Sequence, residues 1–179
     1  TFESEGALQS GLTNQGTGTA DLQGGTVTGV VTNANTAALT VSGDTTVTGN
    51  VNNTSSSATA VTVDAGATLT TLMLNNDAGT AAINGTVTGG TVENAFGATV
   101  DVASTGIITG AISNEGTFES AGQLQGGLTN HGVSTADLQG GTVTGNVGNF
   151  ATSALTVSGN TTVTGSVLNS SSSASAVTV

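Results

Sequence analysis

Residues 19–53 read TADLQGGTVTGVVTNANTAALTVSGDTTVTGNVNN, and one phrase occurs twice within them. Each occurrence closes on an apolar residue, one spacer and an asparagine, as Val31/Asn33 and Val51/Asn53, 20 residues apart. Four residues before the apolar anchor stands a valine, Val27 or Val47, and two before it a glycine, Gly29 or Gly49. A further apolar pair, Leu39/Val41, follows six and eight residues past Asn33. Alternation within each run has a period of two, the pattern of a half-buried strand. Val, Thr, Gly and Asn are weak helix formers that favour strands and turns. The stretch therefore predicts short strands separated by Gly and Asn turns.

The phrase extends through the whole chain. The anchor and its asparagine fall at Leu12/Asn14, Val31/Asn33, Val51/Asn53, Met73/Asn75, Val92/Asn94, Ile112/Asn114, Leu128/Asn130, Val147/Asn149 and Val167/Asn169, with Asn spacings of 19, 20, 22, 19, 20, 16, 19 and 20. The upstream aliphatic file reads Leu8, Val27, Val47, Leu69, Ile108, Leu124, Val143 and Val163, and breaks step in the fifth unit, where Thr88 stands with Val87 beside it. A longer period encloses the short one. Residues 117–179 match residues 1–63 at 47 of 63 positions, so 1–116 is one full super-repeat and 117–179 a partial second copy. No break in composition divides the chain, and it reads as one segment of a longer repetitive protein.

Short strands repeating every 19 to 20 residues describe the rungs of an all-β parallel β-helix, or β-solenoid, of about nine rungs. A single rung cannot bury its inward face, whereas stacking produces a continuous core. At a rise of about 4.8 Å per rung, nine rungs make a rod roughly 43 Å long. The nine asparagines would stack in a ladder at one corner, where Asn tolerates the left-handed conformation and its amide can bond to the rungs above and below. Phe2 and Phe118, in the TFES phrase of the short 16-residue spacing, are expected in the core, and Phe96 and Phe150 at exposed turns.

The units GLTNQG, GGLTNHG and GAISNEG resemble the β-helical passenger regions of bacterial autotransporters and filamentous-haemagglutinin-type adhesins, and the resemblance covers the whole chain. It implies a right-handed coil at the bacterial cell surface or in secreted material, serving as an adhesin stalk or fibre body. The partners it implies are further copies of the same solenoid and host or surface glycans.

Composition narrows the chemistry. The chain of 179 residues has no Lys, Arg or Cys, one His, and 11 Asp and Glu, for a formal net charge of −11. Without cations it cannot grip phosphate, and its field repels polyanions, so nucleic acids and nucleotides are not expected ligands. Absence of Cys removes disulfides and thiolate chemistry. No apolar run of about 18 residues is present, so membrane association would come through other regions. A secretion signal is likewise expected outside this stretch.

Few residues invite a catalytic reading. Asp44 and Asp64 lie 20 apart and are the pair best spaced to meet on adjacent rungs, where they would be candidates for calcium; the glycine-and-aspartate nonapeptide of calcium-binding β-rolls is absent, and no cofactor is expected. His131 has no partner suggested by spacing and reads as an exposed turn residue. Thr26/Thr28, Thr46/Thr48 and Thr68/Thr70 occupy corresponding places on three successive rungs. Pointing outward, they would form a hydroxyl grid of about 4.8 by 6.7 Å, which resembles the surface of ice-binding β-solenoids. A carbohydrate-active β-helix is a further alternative, but such an enzyme needs inserted loops to build a cleft, and the even spacing offers none. The sequence reads as a noncatalytic structural or adhesive rod.

Overall fold

The computed structural model describes all 179 residues and is a β-solenoid of about nine coils without a helix. Twenty-five strands form a ten-stranded and a fifteen-stranded sheet, and every strand pair is parallel. A typical coil contributes three strands. Thr19–Leu22 belongs to the first sheet, while Gly25–Val27 and Val31–Asn35 form the two halves of the second sheet, separated by a glycine corner. The next coil repeats the path through Ala38–Val41, Thr45–Val47 and Val51–Ser55.

Inward residues stack in files along the axis. One runs Val31, Val51, Leu74, Val92, Ile112, Leu128, Val147. Another runs Leu39, Val61, Ala81, Val100, Phe118, Ala136, Leu155. Together they build one core cluster of 29 buried residues. A parallel coil places like on like, so each file needs side chains of compatible volume. Phe118, fully buried, stacks directly against Ala136, and the first copy shows the same partnership between Phe2 and Ala20. The small residue makes room for the ring. Phe2 lies on the first coil and is 36% exposed, so only Phe118 meets the expectation of a core phenylalanine.

The middle of the rod departs from the regular grammar. In the fourth and fifth coils the two half-strands merge into continuous nine-residue strands, Thr68–Asn76 and Thr86–Asn94. The anchor of the fourth coil is Leu74, fully buried, and not Met73. Before it, the turn Asp64–Ala67 closes with Ala67 N–H donating to the Asp64 carbonyl at 3.0 Å, and the chain enters the second sheet displaced. Leu69 consequently pairs with Thr45, whose side chain is buried, instead of with Val47. The upstream file is thus broken between Val47 and Leu69 and resumes as Leu69, Val87, Ile108, Leu124.

The glycine two residues before most anchors has a steric cause. At Gly110 a Cβ would strike the carbonyl of Gly90, the equivalent corner residue one coil earlier. Backbones meet at this corner with no room for a side chain between them.

Candidate functional site

The most highly organised polar feature is the asparagine ladder at the end of the second sheet. Its members are Asn14, Asn33, Asn53, Asn76, Asn94, Asn114, Asn130, Asn149 and Asn169. Each Nδ2 donates to the Oδ1 of the next Asn at 2.7–2.9 Å, unbroken over eight steps. The second N–H of each amide crosses the turn to a carbonyl of the first sheet: Asn33 to Ala60 at 2.7 Å, Asn94 to Thr117 at 2.8 Å, Asn130 to Ala154 at 2.9 Å. An amide has two donors and one acceptor oxygen, so this inventory satisfies the group inside a dry turn. The ladder ties the sheets together and pins the coils in register.

Asn75 is not part of the ladder. Asn76 takes that place because the displaced fourth coil turns Leu74 and Asn76 inward, and Asn75 points outward, donating to Asn52 at 2.8 Å. Its Oδ1 is buried without a hydrogen-bond partner. The expected left-handed backbone is also corrected: the non-glycine residues with positive φ are Asn35 and Ala151, neither of them in the ladder. The ladder asparagines lie in strands, where the inward pleat already aims their amides along the axis.

The threonine rows do not form the expected grid. Thr26 pairs with Thr46, but Thr46 pairs with Thr70 and not with Thr68. One file therefore runs Thr26, Thr46, Thr70, Thr88. Thr68 falls outside it, its N–H donating to Asp44 Oδ1 at 2.9 Å, and Thr48 turns its Oγ1 back to accept from Gly29 N–H at 2.9 Å. Thr28 has no second threonine row to extend into. The displacement of the fourth coil accounts for all of this.

Asp44 and Asp64 do not meet either. Pairing of Val41 with Val63 sets Asp64 beside Ser42, while Asp44 lies two residues further along and binds Thr68. Nowhere do three His, Asp or Glu side chains converge to hold a metal ion. The carboxylates that do stack are others. On the outer face of the first sheet Glu3 pairs with Asp21, and Asp101, Glu119 and Asp137 follow one another on three successive coils. Ser42 donates to Asp21 and Ser158 to Asp137, both at 2.7 Å, and no cation is nearby. Their separations of 18 residues were the available sequence signal.

His131 is not the isolated turn residue that spacing suggests. Ser113 and Glu115 alternate on one strand end and project to the same side, and His131 follows Glu115 in the file of the next coil, where its N–H donates to the Asn114 carbonyl. Its Nε2 lies 3.0 Å from Ser113 Oγ and its Nδ1 3.3 Å from Glu115 Oε1, the one ion-pair contact of the chain. Beside them is a shallow depression of about 260 Å³ lined by Asp77, Glu93, Asn94, Ala95, Ser113 and Glu115. A second depression of about 250 Å³ lies around Phe150, whose ring covers Gly148. Phe96 is 74% exposed, as its turn position implies.

These features define a β-helical repeat protein. Comparisons with protein-family models, with curated proteins and with solved structures found no match.

Proposed function

We propose that the chain is a noncatalytic rod, a stalk or fibre segment of a bacterial surface or secreted protein, that holds other parts of its assembly at a fixed distance. The observation that carries this reading is the unbroken asparagine ladder, running from Asn14 to Asn169 inside a stack of coils without inserted loops. Backbone hydrogen bonds lie along the axis, and the ladder adds a buried side-chain bond at every step, so bending or slipping a coil would orphan polar groups in a dry turn. A rod held in this way keeps its length under load. The resemblance of its GxLxN phrases to exported adhesin passengers supports the surface location. In that setting its partners are further copies of the repeat along the axis and host or surface glycans bound by the assembly it carries.

The surface supports the same use. A charge of −11 with no Lys or Arg leaves no trypsin site and sets neighbouring rods repelling one another. Ice binding gains nothing from the displaced threonine file, and no thermal hysteresis is expected. Electron microscopy of tandem copies of the 116-residue repeat tests the proposal. Straight rods that lengthen by about 29 Å per repeat are expected from six coils; compact particles whose length does not follow copy number would overturn it.

A further inference from the structure

We propose that Ser113 is a reactive serine, activated by His131 and Glu115, and that it accepts an acyl group from neutral or cationic activated esters. This goes beyond the rod reading, because it concerns one chemical site on the outside of the coil. The atoms are in nucleophile, base and orienter order: Ser113 Oγ at 3.0 Å from His131 Nε2, and His131 Nδ1 at 3.3 Å from Glu115 Oε1. With the Nδ1 proton held toward the carboxylate, Nε2 is left as an acceptor for the serine proton.

The three side chains are placed by backbone that cannot easily shift. Ser113 and Glu115 flank Asn114, whose amide is locked in the ladder, and His131 follows Asn130, the next ladder residue. His131 has one-third of its side chain exposed and Glu115 about half, while Ser113 lines the open depression with Asp77 and Glu93. A reagent therefore reaches Oγ from solvent, and the acidic rim disfavours anionic acyl groups.

In the step, the Ser113 Oγ–H bond breaks as Oγ bonds to the acyl carbon and the proton passes to His131 Nε2. The bond from acyl carbon to the leaving oxygen then breaks, and that oxygen takes the proton. Turnover is not expected to be fast. The backbone N–H groups of Ala95, Glu115 and His131 are all committed to carbonyls of neighbouring coils, so none is free to stabilise an oxyanion. The site should acylate and then release its acyl group slowly.

The test is labelling of the full chain with p-nitrophenyl acetate, followed by cleavage at acidic residues and mass mapping. Acetyl is expected on Ser113 in excess over every other Ser and Thr, and absent from that position in Ser113→Ala. His131→Gln, which installs the residue found at the equivalent Gln15, should keep the fold and slow labelling at least about tenfold. Glu115 is a positioning residue. Since His131 is the only imidazole, ¹⁵N resonances report its tautomer directly, and Glu115→Gln should move them away from the Nδ1–H form while labelling slows. The mono-p-nitrophenyl ester of succinic acid, an anionic donor, should react more slowly than the acetate. Acetyl scattered without preference for Ser113, or His131→Gln labelled as fast as the parent, would overturn the proposal. Equal rates for the two esters would remove the role given to the acidic rim.

Discussion

Residues 1–63 and 117–179 follow the same path through the coil, yet their sequences diverge almost wholly on one side of it. Of the 16 positions that differ, only position 37 is buried in the first copy, where Ala37 is replaced by Ser153. Even there the new hydroxyl is satisfied, donating to Asn149 Oδ1 at 2.7 Å. Every ladder asparagine and every residue of the first-sheet strands is retained. Change gathers instead on the outside of the second sheet and its turn: Gln15 becomes His131, Thr32 becomes Gly148, Ala34 becomes Phe150 and Asn52 becomes Leu168. The interior must satisfy neighbours above and below at once, whereas an outward residue answers mainly to water. Thr32 and Ala34 changed as a pair, since the ring of Phe150 occupies the space over Gly148 that a side chain would fill.

That contrast is breakable by substitution, and the largest effect is expected in the ladder. Asn33→Ala and Asn149→Ala each remove an acceptor for the preceding Nδ2 and both donors to neighbours, and should cost about 3 kcal/mol or more in denaturant unfolding. Similar losses in both copies would confirm one rule for both. The same measurement on the fourth coil separates neighbours: Asn76→Ala should cost about as much, and Asn75→Ala about 1 kcal/mol or less.

Next in size is Ala136→Leu. Ala136 stacks against fully buried Phe118, so the larger side chain should cost about 1–3 kcal/mol by overpacking. Ala20→Leu, against the half-open Phe2 of the first coil, should cost less. Installing the second copy's outer pair in the first, Thr32→Gly with Ala34→Phe, should change stability by no more than about 0.5 kcal/mol. A loss as large as that of the ladder variants would refute the division between inside and outside.

The smallest effect has the opposite sign. Glu119 lies between Asp101 and Asp137 in one outer file, and like charges directly opposite one another on adjacent strands repel. Glu119→Thr, the residue already present in that file at Thr40, Thr62 and Thr156, should raise stability by about 0.5 kcal/mol. The gain should shrink in high salt, because screening already relieves the repulsion in the parent.

The architecture was legible from the sequence because stacking imposes a period, and a period survives without any knowledge of contacts. Eight of the nine ladder positions follow from the spacing of apolar residue and asparagine alone. Asn75 was the exception, since LMLNN offers two overlapping readings and only the displaced fourth coil decides between Met73/Asn75 and Leu74/Asn76. The threonine grid failed for the same reason: the 22-residue step from Thr46 to Thr68 looks like one rung, while the register pairs Thr46 with Thr70. A turn that consumes extra residues leaves composition and periodicity almost unchanged. His131 was illegible for a different reason. Its partners sit 16 and 18 residues earlier, and the 16-residue coil, the shortest of the rod, is what brings Glu115 beneath it.

The central claim is that successive coils stack at a constant rise and hold that geometry stiffly. Thr36 and Thr152 occupy equivalent exposed turns, one 116-residue repeat and six coils apart. The absence of native cysteine lets Thr36→Cys and Thr152→Cys carry spin labels uniquely. Pulsed electron–electron resonance between them should give a single narrow distance distribution centred near about 29 Å. A broad distribution, or a narrow one far from that distance, would contradict a stiff stack of coils.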